Sequence, residues 1–217
     1  MLLKREWNAE KEKEIKMPGN IKILCITNRH LAVQDYFEQI RQIALARPQA
    51  VIVREKDLPE HEYRLLAARV MDICGEYHVP CILHGYPKAA ASLGAGALHL
   101  PLSQLLSMPE DEKQAFKVRG ASVHSPREAL LAQKAGASYV TAGHVFATDC
   151  KRGVPPRGLS FLRETCQAVQ IPVYALGGIQ AQNAAQCILA GAQGVCVMSA
   201  CMKYRNVRKA FGQYGYF

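Results

Sequence analysis

The sequence predicts an α/β protein built as a single (βα)8 TIM barrel. From residue 21 onward, eight short apolar segments alternate with stretches of helical spacing. Most apolar segments are continuous rather than alternating, which is typical of parallel strands that are covered on both faces. Eight such units are expected to close into a barrel. A doubly wound open sheet would usually place a glycine-rich loop after its first strand, where this chain reads CITNRH (25–30).

Each element of this barrel has its own local signals. Ser125 followed by Pro126 predicts a helix start, because serine caps a helix and proline fits its first position. Gly136 and Gly191 predict left-handed helix ends. Strands are predicted over residues 21–27, 50–54, 81–84, 97–100, 118–122, 139–143, 173–176 and 194–198. Helices are predicted over residues 36–46, 61–78, 126–135, 160–169 and 183–190.

The barrel is expected to occupy residues 19–217, after a short N-terminal extension over residues 1–18. With 217 residues, the chain is long enough to bury the core of one domain. The first residues, MLLKREWNAEKEKEIK, alternate Lys with Glu and lack the apolar segment of a signal peptide. A start at Met17 is an alternative.

Composition limits the classes of function. The sequence contains no apolar run near the roughly 20 residues that span a membrane. The formal charge is +9, but the basic residues are dispersed and no recognition motif accompanies them, so nucleic acid is not an expected partner. A small anionic substrate accounts for part of the excess charge. Eight cysteines without a zinc pattern indicate a reducing cytoplasm.

Two strand ends predict a phosphate site. Gly177 and Gly178 follow the seventh strand, and Met198 and Ser199 follow the eighth. Barrels commonly hold phosphate with these two loops, through backbone N–H groups that glycine lets approach the anion. A tight turn that needs glycine for its backbone alone is the alternative.

A cationic pair follows the second strand. Arg54 and Lys56 lie two residues apart, so both side chains can lean toward the same mouth of the barrel, where they suit a phosphate or a carboxylate. A surface salt-bridge cluster with Glu55 and Asp57 is equally compatible with the spacing.

His144 directly follows the sixth strand and is the candidate acid–base group. A neutral imidazole can accept or donate a proton near pH 7. His84, His99 and His124 also lie at or near strand ends, and we expect His99 and His124 to be structural. No Asp or Glu follows the third or fourth strand to hold Mg²⁺, so no metal site is predicted.

From about residue 23 to 200, the chain resembles the thiamine phosphate synthase superfamily, and it looks most like the thiazole tautomerase branch. The most specific motif begins at Gly143. The motifs that carry the resemblance are VREKD (53–57), SVHSPREA (122–129), GHVFATDCKRG (143–153), GLSFL (158–162), ALGGI (175–179) and VMSA (197–200).

Several departures from the synthase pattern separate the two branches. Residues 84–86 read His-Gly-Tyr where synthases carry Asn-Asp-Arg, and Gln104 stands where they carry a further Asp. In synthases those two aspartates hold Mg²⁺ for the pyrophosphate leaving group. His144 replaces a proline and Cys150 a threonine, as in the tautomerase branch.

The resemblance implies a cofactor-free isomerase that aromatises a thiazole phosphate carboxylate tautomer through a proton shift. His144 is the implied proton carrier. The implied phosphate ligands are Thr148, Lys151 and the backbones of Gly177, Gly178, Met198 and Ser199. Arg54, Lys56 or Lys151 would meet the ring carboxylate. A homo-oligomer, dimeric or larger, is also implied.

Two alternatives stay open. The first is a thiamine phosphate synthase, a transferase that would need the Mg²⁺ site which Gly85 and Gln104 do not provide. The second is a non-catalytic regulatory or thiazole-phosphate-binding protein that keeps the pocket and acts through partners.

Overall fold

Eight parallel strands close into a barrel in chain order, in a computed structural model that describes residues 21–151 and 153–216. The strands are β1 Lys22–Ile26, β2 Ala50–Val53, β3 Cys81–His84, β4 Ala97–Pro101, β5 Val118–Val123, β6 Tyr139–Gly143, β7 Val173–Leu176 and β8 Gly194–Val197. The predicted (βα)8 barrel is therefore confirmed. The predicted extension over residues 1–18 lies outside the described residues.

Helices connect the strands. They are α1 Tyr36–Leu45, α2 Glu60–Glu76, α3 Pro87–Ser92, α4 Leu102–Ser107, α5 Glu110–Gln114, α6 Pro126–Lys134, α7 Gly158–Ala168, α8 Ala181–Leu189, α9 Ser199–Met202 and α10 Val207–Gly212. The five predicted helices are α1, α2, α6, α7 and α8. Two 3-10 turns, Arg29–Leu31 and Asp149–Lys151, follow β1 and β6 at the mouth of the barrel.

The predicted helix ends are confirmed. The Ser125 side chain accepts a hydrogen bond from the Glu128 N–H at 3.1 Å, and Pro126 occupies the first helical position of α6. Gly136 and Gly191 have φ angles of 85° and 102°, the left-handed conformation that ends a helix. These local signals let each helix turn back into the next strand.

Two apolar layers surround the strands. Leu24 and Ile26 of β1 belong to a small cluster inside the barrel, which also contains Tyr139 and Tyr174. Ile23 and Cys25 belong to the larger cluster between strands and helices. Each strand is thus buried on both faces, which explains why its sequence is continuously apolar.

The described ranges contain no helix that is long and apolar enough to cross a membrane. The cytoplasmic location and the homo-oligomeric state stay predictions.

Candidate functional site

A cavity of about 620 Å³ opens at the carboxyl ends of the strands. This size suits a small-molecule ligand, and its position is the one where barrels place their chemistry. The structure brings together here nearly all the predicted site residues: Arg54, His144, Thr148, Lys151, Gly177, Gly178, Met198 and Ser199. Lys56 is not among the lining residues.

One side of the cavity, which we call the glycine end, consists of Gly177, Gly178, Met198 and Ser199. Within the described chain, the backbone N–H groups of these four residues have no hydrogen-bond partner. Backbone N–H groups that converge without partners favour an anion. The glycine end is therefore suited to a phosphate group.

The two glycines are needed because the loop after β6 packs against them. Val145 N–H donates to Leu176 O at 2.9 Å, and Phe146 N–H donates to Gly177 O at 3.0 Å, which extends the pairing of β6 and β7. A Cβ on Gly177 would collide with His144, and one on Gly178 with the backbone of residues 146–147. Both glycines also have positive φ angles, 97° and 65°. The sequence left open whether Gly177 and Gly178 serve a tight turn or an anion site. In the structure the same tight turn also leaves their backbone N–H groups without partners in the described chain.

A second group of side chains, which we call the cationic end, consists of Arg54, Lys56 and Lys151. The carboxylates near the first two cations are paired elsewhere. Asp57 forms a salt bridge with Arg29 at 2.5 Å, and Arg29 also contacts Glu55 at 3.4 Å. Within the described chain, neither Arg54 nor Lys56 has an ion-pair partner, so the predicted cluster of alternating charges separates into paired acids and unpaired bases.

Glu55 fixes the base of the cationic end. The residue is 2% exposed, and its carboxylate accepts hydrogen bonds from the Thr27 hydroxyl at 2.7 Å and the Arg29 N–H at 3.0 Å. Thr27 also accepts from Arg54 N–H at 3.0 Å. These bonds join the ends of β1 and β2, and they fix the backbone from which Arg54 and Lys56 project.

The three cations influence one another. Partial burial of the Lys56 ammonium, followed by the charges of Arg54 and Lys151, lowers the pKa of Lys56. Lys56 therefore belongs to the same electrostatic site as Arg54, although its side chain lies just outside the cavity wall, contrary to its predicted place in the mouth.

His144 lies at the start of the loop after β6, where it is buried and lines the cavity. Its Nε2 atom is 3.2 Å from Val154 O, and its backbone O accepts from Arg157 N–H at 3.0 Å. These two contacts hold the loop and set the orientation of the ring. The predicted histidine therefore reaches the cavity, next to the glycine end.

Sequence reasoning missed a polar chain on the cavity floor. His99, expected to be structural, lines the cavity, and its Nδ1 and Nε2 atoms lie 2.9 Å from Tyr139 Oη and from Ser122 Oγ. A Cβ on Gly120 would collide with both His99 and Tyr139, so the glycine makes room for their contact. An alternating strand pattern could have indicated inward His99 and Tyr139, but not their pairing. Ser122 thus becomes a further candidate for ligand contact.

His84 and Lys203 also line the cavity, and neither was predicted as a site residue. His124 also lines the cavity, and its Nδ1 atom lies 3.3 Å from Glu128.

Comparison with known proteins decides the family. The family model for thiamine monophosphate synthase matches residues 23–201. The chain belongs to the thiamine monophosphate synthase family. It is 31% identical to the thiamine-phosphate synthase of Clostridium novyi over 89% of this chain and 97% of that protein. A solved thiamine phosphate pyrophosphorylase from Pyrococcus furiosus has 31% identity and a TM-score of 0.77, covering 89% of this chain and 93% of that one.

The isomerase prediction is wrong in the light of these relatives. The matched proteins from Clostridium novyi, Pyrococcus furiosus and Streptococcus pneumoniae are named thiamine-phosphate synthases, which are transferases. The family is thus confirmed, and the tautomerase branch is not. The physical reason is that His144 shows only that an imidazole reaches the cavity, which does not distinguish a proton shift from a group transfer.

The Mg²⁺ that the resemblance implies for synthases does not fit the corresponding positions of this chain. Gly85 and Gln104 stand there, and neither offers a carboxylate. The part of the chain that the structure describes contains no group of three or more His, Cys, Asp or Glu side chains arranged so that they could hold a metal ion. Asp149 is the only carboxylate among the described residues that line the cavity, and Mg²⁺ prefers several hard oxygen ligands.

Proposed function

We propose that this protein is a transferase that forms thiamine phosphate from a thiazole phosphate and a pyrimidine diphosphate. The named relatives support this reaction class, since they match about nine tenths of the chain. The observation that carries the proposal is the presence, in one cavity, of backbone N–H groups without partners in the described chain and of the cations Arg54 and Lys151. Two phosphorylated substrates require two such sites.

The proposed reaction is a displacement at carbon. The thiazole ring nitrogen forms a bond to the methylene carbon of the pyrimidine, the bond from that carbon to the diphosphate oxygen breaks, and its electron pair leaves with the diphosphate. The protein must align the two rings and stabilise the charge that accumulates on the leaving group. We propose that the two ends of the cavity together carry out these two tasks.

The glycine end is proposed to hold the thiazole phosphate. Its oxygens would accept hydrogen bonds from the N–H groups of Gly177, Gly178, Met198 and Ser199, and Thr148 would contribute its hydroxyl. A phosphate held from one side leaves the ring free to reach the centre of the cavity.

The cationic end is proposed to hold the diphosphate. Arg54 lines the cavity and can grip two oxygens at once through its planar guanidinium. Lys56 and Lys151 would add point charges beside it. Together they would stabilise the leaving group. Burial, followed by the charges of Arg54 and Lys151, lowers the pKa of Lys56, and a bound anion would offset those two charges.

His144 is proposed as the catalytic residue that contacts the reacting thiazole ring. Its Nε2 atom lies close to Val154 O, so an N–H at Nε2 would leave Nδ1 as an acceptor. We expect His144→Gln to lower kcat while the affinity for thiazole phosphate changes little, since the phosphate is held by other residues. An unchanged kcat would remove His144 from the reaction.

The test is an assay of the purified protein with both substrates, at several Mg²⁺ concentrations. We expect thiamine phosphate and diphosphate to be released in equal amounts, and Arg54→Gln to abolish most of that release. Arg163→Gln on the exposed face of α7 is the matched control and should behave as wild type. Binding of both substrates without any product would reject the transferase.

A non-catalytic thiazole-phosphate-binding protein is the second candidate. Gly85 and Gln104, at positions where synthases carry aspartates, favour it. It predicts tight binding of thiazole phosphate at the glycine end with no turnover under any metal condition.

A further inference from the structure

The hydroxyl of Tyr139 lies in the barrel interior and contacts His99 on the cavity floor. Its Oη atom is 2.9 Å from His99 Nδ1, and no other described residue forms a hydrogen bond with it. Tyr139 is 6% exposed, and burial raises its pKa well above the usual value, so the phenol keeps its proton. A buried O–H group without an acceptor is costly. The Tyr139 hydroxyl therefore donates to Nδ1 of His99.

This bond determines which nitrogen of His99 carries the ring proton. His99 is neutral, because burial lowers its pKa well below the usual value, and a neutral imidazole has one acceptor nitrogen and one N–H group. Since Nδ1 accepts from Tyr139, the proton lies on Nε2. That atom is 2.9 Å from Ser122 Oγ, so His99 donates a hydrogen bond to Ser122.

The opposite assignment would leave a buried donor without a partner. With the proton on Nδ1, His99 would donate to Tyr139, and the phenol O–H would have no acceptor among the described residues. The Ser122 hydroxyl would then donate to Nε2 instead of accepting from it. Buried donors are rarely left unpaired in native structures, so the direction that runs from Tyr139 through His99 to Ser122 is favoured.

Ser122 receives two hydrogen bonds and keeps its own proton. Its oxygen accepts from His99 at 2.9 Å and from the Thr141 hydroxyl at 3.4 Å, and these bonds occupy the two lone pairs that a hydroxyl offers. No described residue is left to accept the Ser122 proton. Because Ser122 is half-buried and lines the cavity, its O–H group points there as a hydrogen-bond donor.

We propose that Tyr139 is a positioning residue, which acts through His99 to direct the hydroxyl proton of Ser122 into the cavity. For the identity of the ligand atom that accepts this proton, the inference rests on the proposed function. The thiazole nitrogen must keep its lone pair for the new bond, whereas a pyrimidine has ring nitrogens whose lone pairs take no part in the displacement. The acceptor is therefore a ring nitrogen of the pyrimidine.

Three variants separate the direction of these bonds from simple packing. Tyr139→Phe removes the donor to Nδ1 and keeps the ring. Tyr174→Phe is the matched control, because Tyr174 packs edge-on against Tyr139 with centroids 5.8 Å apart, and its hydroxyl has no hydrogen bond to a described residue. His99→Gln is the conservative variant, because an amide offers an acceptor and a donor on neighbouring atoms and has no second tautomer.

The first readout is the imidazole ¹⁵N spectrum of His99 in the ligand-free protein, where protonated and unprotonated ring nitrogens have well-separated resonances. We expect the proton on Nε2. Tyr139→Phe should populate the Nδ1–H form as well, because nothing then fixes the tautomer, and Tyr174→Phe should retain the wild-type spectrum. A proton on Nδ1 in wild type, or an unchanged tautomer in Tyr139→Phe, would overturn the inference whatever reaction the protein catalyses.

The second readout is a calorimetric titration of the pyrimidine diphosphate and of inorganic diphosphate, which has no ring. Tyr139→Phe should raise the Kd for the pyrimidine diphosphate about tenfold, because the hydrogen bond from Ser122 is lost in part of the molecules. Its Kd for inorganic diphosphate should stay unchanged. Tyr174→Phe and His99→Gln should both bind the pyrimidine diphosphate as wild type does.

The outcomes of the titration separate this inference from the proposed function. Equal Kd values for the pyrimidine diphosphate in Tyr139→Phe and Tyr174→Phe would overturn the inference, as would an equal loss of both ligands in Tyr139→Phe. Binding of the pyrimidine diphosphate that depends on Tyr139, without any release of thiamine phosphate, would support the inference and reject only the transferase.

Discussion

The two ends of the cavity are built from different parts of the polypeptide. The glycine end offers backbone N–H groups, and its shape follows from the way the loop after β6 packs against Gly177 and Gly178. The cationic end offers the side chains of Arg54, Lys56 and Lys151, and the buried Glu55 supports the backbone that carries the first two.

This difference determines which end can vary. A backbone site changes only if the packing of the loop changes, so any chain that keeps these glycines keeps the site. A side-chain site changes with a single substitution. The departures from the synthase pattern at His84, Gly85 and Gln104 lie at or after the ends of β3 and β4, whereas the departure at His144 lies against Gly177 of the glycine end.

The largest effect is expected from Gly178→Ala. A Cβ there would collide with backbone atoms of residues 146–147, and the φ angle of 65° is strained for alanine. We expect a loss of about 3 kcal/mol of unfolding free energy and a Kd for thiazole phosphate raised at least about tenfold. Urea denaturation and calorimetry measure the two effects.

Gly94→Ala is the matched control for Gly178→Ala. Gly94 has a φ angle of 64°, but a Cβ there meets nothing within 4 Å. It should cost only the backbone strain, about 1 kcal/mol, and leave phosphate binding unchanged. Equal losses in the two variants would show that close packing of the β6 loop does not form the glycine end.

Arg54→Gln is expected to weaken the cationic end selectively. Removing a charged hydrogen-bond donor should raise the Kd for inorganic diphosphate by about ten- to a hundredfold, while thiazole phosphate binds as in wild type. Arg54→Lys should fall between, since lysine keeps the charge and loses the planar fork. Equal weakening of both ligands would mean that the two ends are one site.

Glu55→Gln tests the support beneath the cationic end. The buried carboxylate accepts from Thr27, Arg29 and Tyr36, and a neutral amide accepts these bonds more weakly. We expect a loss of about 2 kcal/mol in unfolding free energy. Glu76→Gln breaks an exposed pair with Arg41 and should cost less than about 1 kcal/mol. If Glu55→Gln lost no more unfolding free energy than Glu76→Gln, Glu55 would not support the cationic end.

The lowered pKa of His84 predicts a pH dependence of stability. Its pKa is about 3 in the folded protein and near the ordinary 6.5 when unfolded, so below pH 6.5 the unfolded chain binds the extra proton. The stability advantage of wild type over His84→Phe should therefore shrink by about 2 kcal/mol between pH 7.5 and pH 5. A pH-independent difference would place His84 in a solvated environment.

Much of the fold is predictable from local sequence. The strands are recognisable because burial on both faces requires continuous apolar runs, and β6, for example, was predicted with its observed bounds, Tyr139–Gly143. Ser125, Gly136 and Gly191 act through their own backbone conformations, which nearby residues specify. Gly177 and Gly178 are recognisable from the sequence for the same reason, because their positive φ angles are a local property of the backbone.

The remaining features depend on contacts between distant residues. The hydrogen bond of His99 with Tyr139 joins β4 to β6, and the Glu55 contacts join β2 to the turn after β1. No local pattern specifies such pairs. The short helices α3, α4 and α5 were not predicted individually, because one or two turns carry little periodicity. The isomerase prediction was also wrong, since a histidine that reaches the cavity does not distinguish a proton shift from a group transfer.

The most direct test of the two-ended cavity is a ³¹P NMR titration with thiazole phosphate and inorganic diphosphate together. If the glycine end and the cationic end are separate sites, saturating one ligand leaves the other bound, and both bound resonances are present at once. Arg54→Gln then removes only the bound diphosphate signal, and Gly178→Ala only the bound thiazole phosphate signal. Displacement of one ligand by the other would contradict the account, because it would mean that the cavity holds a single anion site.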